Sequence, residues 1–146
     1  MTTDVDIWTG TYEELPLGAC EESDHLIDGN AIDAFADAIQ SYNPFHMDGD
    51  WTRANTHYPD RIAHGVMTTA LMSKPLVQFC ERFKIRTALL STSSKYTRPV
   101  VAGDTITTVI RLVEKIDDRK RIRFDVERKN QRGETVMLGE MLEQTL

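Results

Sequence analysis

"HGVMTTALMSKPLVQFCERF", His64 to Phe83, is the stretch on which the fold turns. From Val66 to Phe79 it is apolar on several sides, the pattern of a helix that is buried rather than laid on a surface. Gly65 stands at its start. Pro75 lacks an N–H and crowds the preceding turn, so it is expected to kink the helix or end its regular part. Beyond Lys84 the hydrophobic period changes to two. In "RIRFDVER", Ile122, Phe124 and Val126 alternate with Arg121, Arg123, Asp125 and Glu127, which places the two sets on opposite faces of a strand. "TITTVIRLVEKI" and "ETVMLGEMLEQTL" are strand-like with weaker alternation, and "IDDRK" and "NQRGE" are hairpin-type turn signals. The part after Lys84 therefore reads as an antiparallel meander of about four strands. A buried helix followed by such a meander implies an α+β domain, with a curved sheet wrapped around a long central helix.

Working toward the N-terminus, "DGNAIDAFADAIQSY" carries Ile32, Phe35, Ala36 and Ile39 at helical spacing, with Asp28 or Asn30 as N-cap. This helix should end near Tyr42, because Pro44 disfavours helical geometry at Asn43. A short helix over "DWTRANT" and an edge-like strand over "ACEESDHLI" are further expectations. Residues 1–18, with Gly10, Pro16 and Gly18, read as an irregular lead-in. The chain of 146 residues is expected to be a single domain over 1–146.

Composition narrows the function classes. A net charge of −6 argues against non-specific binding to nucleic acid or an anionic membrane. No run of about 18 apolar residues suggests a transmembrane helix, and "MTTDVDIWTG" has neither the basic region nor the apolar core of a signal peptide. Cys20 and Cys80 are the only cysteines and form no C-x-x-C, so neither a disulfide nor a structural zinc site is expected, and a reducing cytoplasm fits. His46, His57 and His64 match no zinc-ligand spacing, so no metal is expected.

The candidate chemistry lies in "QSYNPFHMDGDW", Gln40 to Trp51. Pro44 stiffens a polar segment in which Asn43 can bond backbone or ligand. A held histidine such as His46 is the commonest general acid or base, although a loop histidine can equally be idle in solvent. In "IAHGVM", Gly65 at the head of a buried helix leaves free N–H groups that can hold a developing oxyanion. The plainer reading is that Gly65 permits a tight turn and His64 packs or caps. Ser73 sits inside the apolar helix, where a hydroxyl usually bonds back to its own helix. Cys80 reads as core packing.

These pieces stand in a fixed order: a helix, "NPFHMD", a spacer, "IAHGVM", the buried helix with Ser73, then "YTRPVVAGDTI" and "NQRGETVMLGE". That order resembles the MaoC-like dehydratases and (R)-specific enoyl-CoA hydratases, from about Glu14 to the C-terminus. The family pattern is approximately D-x-N-P-x-H-x-D followed by P-I-x-H-G-M. The resemblance implies the hot-dog fold and a homodimer with active sites at its interface. It implies a thioester substrate on coenzyme A or an acyl carrier protein, no separate cofactor, and reversible addition of water to a 2-enoyl group. Carried over, His46 is the acid/base group, Asn43 a positioning residue and Gly65, beside His64, the oxyanion donor; Ser73 lines the acyl pocket. Asp48 matches a second, structural acidic position.

Two positions depart from the pattern. Ser41 stands where the family has its principal carboxylate, and Arg61 stands where it usually has proline. Ser41 can bond a water but is no base at neutral pH. Asp37, one helical turn earlier, is the nearest carboxylate on that face. The leading expectation is a hydratase or dehydratase with an altered catalytic pair. The rivals are a non-catalytic acyl-thioester-binding subunit working beside an active homologue, and a hot-dog thioesterase. The last would want a carboxylate on the central helix, and Gly65 to Phe79 contains none.

Overall fold

The computed structural model describes residues 8–146; the first seven residues of the lead-in lie outside the described part. After a 3-10 turn at Tyr12–Glu14 come β1 (Cys20–Ile27) and the helices α1 (Gly29–Ile39), α2 (Pro44–Met47), α3 (Gly49–Asn55), α4 (Gly65–Ala70) and α5 (Ser73–Phe83). Four strands follow: β2 (Thr87–Tyr96), β3 (Asp104–Ile116), β4 (Arg121–Lys129) and β5 (Thr135–Thr145). The curved antiparallel sheet and the helix it holds are the hot-dog arrangement.

The first helix starts at the expected cap: the Asp28 carboxylate accepts the Ala31 N–H at 2.9 Å. Ile32 and Ala36 are fully buried, but Ile39 at the end of the stripe is exposed. The helix stops ahead of Tyr42. Gln40 adopts a left-handed conformation, φ 56°, and donates its N–H to the Ala36 carbonyl, the common way a helix satisfies its last carbonyls. The polar segment after it is not a loop. Asn43 caps α2, with Pro44 at its first turn, and the Asp48 carboxylate caps α3 through the Trp51 N–H at 3.0 Å.

Pro75 breaks the central helix as expected, and the break falls upstream of it. α4 ends at Ala70 and α5 begins at Ser73, because Pro75 has no N–H to offer the carbonyl one turn before it. Tighter bonds close the gap, from Leu71 N–H to Thr68 and Met72 N–H to Thr69.

The five strands are ordered β1-β3-β4-β5-β2, all pairs antiparallel. Only β3, β4 and β5 form a meander. β2 crosses over through the Pro99 segment and pairs with β5 at the far edge. Alternation shows which face of a strand is buried and leaves its neighbour open.

The core divides in two. One cluster gathers Phe79, Cys80, Ile110, Ile122, Phe124 and Val126 around α5; the other gathers Ile27, Ile32, Met67, Leu71, Ile106 and Met137 around α1 and α4. Cys80 is thus a core residue, and both cysteines are free thiols. The inward phase of β4 continues past Val126 to Arg128, which is 1% exposed. Among the described residues no helix is long and apolar enough to cross a membrane.

Candidate active site

His46 sits on the single turn of α2, and it is there because of the two residues before it. Asn43 takes the extended conformation that a following proline favours, with φ −59° and ψ 133°, and Pro44 enters the helix where its missing N–H costs nothing. His46 is buried. Its Nδ1 lies 2.7 Å from the Ile62 carbonyl oxygen. A carbonyl only accepts, so Nδ1 carries the proton and Nε2 keeps a bare lone pair. The Phe45 carbonyl accepts the Ile62 N–H at 3.0 Å, which ties the two segments together from both sides.

His64 lies behind this imidazole. The two rings stack with centroids 3.7 Å apart and planes inclined by 26°. His64 Nε2 donates to the Ser41 carbonyl at 3.0 Å, and its buried Nδ1 has no partner among the described residues. Ser41 therefore enters the site through its backbone, holding the ring that backs His46. Asp37 does not join His46. It hydrogen-bonds the Tyr42 hydroxyl and raises that phenol above its ordinary pKa, on the exposed side of α1.

Arg61 forms a clamp. Its Nε donates to the His46 carbonyl and its Nη2 to the Asp33 carboxylate, joining α1 to the turn that carries His46. Burial pushes the His46 imidazole below its usual pKa; the Ile62 carbonyl opposes this, while His64 and the Arg61 guanidinium press it further down. At neutral pH His46 is accordingly an unprotonated base with Nε2 free.

A cleft of about 460 Å³ opens in front of it, lined by Phe45, His46, Tyr58, Ile62, Gly65, Thr68, Tyr96 and Arg98 among others. Gly65 and Val66 open α4, so their N–H groups have no acceptor within the helix, and the His64 side chain does not cap them. The Tyr96 ring covers Gly65: an added Cβ would lie 3.2 Å from Tyr96 Cε1. The cleft thus brings one neutral base and one helix N-terminus to the same space. Such an arrangement can activate a water and stabilise a developing oxyanion.

The structure sorts the other expected residues. His46 and Gly65 share the cleft, His64 and Ser41 support it from behind, and Asn43 is exposed as the cap of α2. Ser73 is elsewhere in the chain, exposed at the head of α5 on a separate cleft with Trp8, Leu76 and Thr87. Sequence reading missed Arg61 as a tether, Tyr96 as the cover of Gly65, and Arg128 as an interior charge. Arg128 alone carried a signal, since it continues the inward phase of β4.

Three comparisons bear on this geometry. The family model described as "MaoC like domain" matches residues 21–133. A 3-hydroxybutyryl-CoA dehydratase of Methylorubrum extorquens is 29% identical over 114 residues, spanning 77% of this chain and 70% of that protein. Among solved structures, the unliganded R-hydratase PhaJ1 of Pseudomonas aeruginosa superposes with a TM-score of 0.80 at 29% identity, over 92% of this chain and 87% of that one. The (R)-hydratase of A. caviae superposes with a TM-score of 0.81 at 23% identity, over 90% and 98% of the two chains, which shows the shared fold.

Proposed function

Because the chain belongs to the MaoC-like domain family, we propose that it adds water reversibly to 2-enoyl thioesters, with His46 as its acid/base group. The observation that carries this reading is the pairing, in one cleft, of a His46 Nε2 freed by the Ile62 carbonyl with the uncapped N-terminus of α4. In the hydration direction His46 Nε2 takes a proton from water as the water oxygen bonds C3. The C2–C3 π electrons move to the thioester oxygen, and the Gly65 N–H holds the resulting enolate. The enolate collapses and C2 takes the proton back from the imidazolium. One histidine can serve both steps, so the reaction balances without the carboxylate that Ser41 replaces. Loss of that partner is expected to cost about 10²–10⁴-fold in rate.

Coenzyme A is the carrier we favour, since the dehydratase relative is named for a coenzyme A thioester; an acyl carrier protein is the alternative. We also infer a homodimer. β2 is a sheet edge whose residues are nearly all exposed, Leu89 and Leu90 at 51% and 45% among them. An open sheet edge of this kind, with two exposed leucines, is a pairing surface.

Ser41 favours one other reading, a thioester-binding subunit that works beside an active homologue. A panel of 2-enoyl-CoA thioesters, assayed for hydration by loss of enoyl absorbance, separates the two. Turnover that disappears in His46→Ala supports the hydratase. Tight binding of acyl-CoA with no turnover on any member supports the subunit.

A further inference from the structure

Arg128 is a buried cation with no counter-ion among the described residues. Among the described residues its guanidinium makes one hydrogen bond, from Nη2 to the Thr69 carbonyl at 2.8 Å, while Nε and Nη1 are buried and unpartnered. Among the described residues no carboxylate pairs with it, and burial lowers its pKa to about 10. The Thr69 carbonyl lies at the break after α4, where it also accepts the Met72 N–H, and the end of a single short helix supplies only a partial negative charge. A desolvated charge with most of its donors idle is costly, and proteins keep such a group where an anion completes it.

The surroundings describe the anion's seat. Arg128 lies opposite Thr108 on β3 and Met137 on β5. Along β3, buried Thr108 separates Ile106 of one core cluster from Ile110 of the other. A polar seam therefore runs between the two apolar clusters, with Arg128 in it. The seam leads to the candidate active site. The Thr69 hydroxyl lies 2.7 Å from the Tyr96 hydroxyl and 3.3 Å from the Ser94 hydroxyl, and Tyr96, half exposed, is the residue that covers Gly65 and lines the His46 cleft. From Gly65 to Thr69 is one turn of helix, about 6 Å of rise.

We propose that Arg128, with the hydroxyls of Thr69, Ser94 and Tyr96, receives a carboxylate at the far end of the acyl chain, so that the substrate is a short dicarboxylic acyl thioester. The inference rests on reading the His46 cleft as the acyl-thioester site. With the thioester oxygen at the head of α4, the distal carboxylate lies near its break, where a displaced Tyr96 hydroxyl exposes the guanidinium. The substrate then supplies the counter-charge that the protein lacks, and a forked guanidinium suits a carboxylate.

The test is calorimetric titration of the full chain with glutaryl-CoA and valeryl-CoA, saturated thioesters of equal chain length, so that binding is read without turnover. Wild type is expected to bind glutaryl-CoA at least about tenfold more tightly, and Arg128→Met to lose that preference while keeping its affinity for valeryl-CoA. Arg128→Met also removes an uncompensated buried charge, so it is expected to melt above unliganded wild type. Arg128→Lys, which keeps the charge and loses the fork, is expected to fall between the two. Equal affinities in wild type, or a glutaryl preference that survives in Arg128→Met, would overturn the proposal. Hydration of glutaconyl-CoA against 2-pentenoyl-CoA is measured separately. No turnover on either, with the Arg128-dependent preference intact, counts against the hydratase reading and leaves the carboxylate site standing.

Discussion

Replacing Arg61 by methionine tests the clamp that joins α1 to the turn carrying His46. Two interactions are lost. The first is the charged hydrogen bond from Nε to the His46 carbonyl, of a kind that contributes about 1.5–3 kcal/mol when partly buried. The second is the ion pair with Asp33, whose side chain is 50% exposed; solvent screening limits such a pair to at most about 1 kcal/mol. Methionine keeps some of the packing of the arginine stem. The expected loss is therefore about 2–3 kcal/mol, which lowers the urea midpoint by roughly 1 M for a domain of this size. A second consequence is electrostatic. The Arg61 guanidinium helps hold the His46 pKa down, so removing it raises that pKa. The acid limb of the rate profile then moves to higher pH, because more of the base is protonated at a given pH. Urea denaturation and a proton NMR titration of the His46 ring measure the two effects independently. Arg61→Lys should keep part of the second and lose most of the first. An unchanged midpoint together with a His46 pKa that stays or falls would refute the clamp.

Other outcomes are equally specific. His46→Ala should retain the fold and cut turnover by about 100-fold or more; equal activity would move the chemistry elsewhere. Ser41→Asp should gain at least about tenfold on short enoyl-CoA thioesters and raise the His46 pKa by favouring the imidazolium. A folded variant with no gain would show that more than this carboxylate separates the chain from its relatives. Glu143 is 1% exposed, its Oε1 has no partner among the described residues, and burial raises its pKa. The folded state thus holds that proton longer than the unfolded one, and stability is lost as pH rises from the ordinary carboxylate range through the raised value. Glu143→Gln should remove this slope and melt higher at neutral pH, as thermal scans across pH will read. Sedimentation at micromolar concentration should give twice the 16.6 kDa chain mass; a monomer would remove β2 as a dimer edge.

The sequence by itself determined the local elements and the family. The alternation of Ile122, Phe124 and Val126 made β4 with its inner face, Asp28 began α1, and Pro75 broke the central helix, because each acts through its own backbone or nearest turns. The ordered motif around His46 and Gly65 pointed to the cleft in which both are found. Only the tertiary structure decided which strand lies beside which, since a period of two shows a strand's buried face and leaves its partner open; β2 went to β5, and the simple meander did not form. It also decided the working state of the site. The tautomer of His46 depends on a carbonyl 16 residues away, and the ring behind it is held by the backbone of Ser41, 23 residues from His64. Ser73 went to a different cleft, and an arginine in an alternating strand went into the core. A side chain's charge is written in the sequence; whether that charge meets water, a partner or nothing is settled when distant segments close around it.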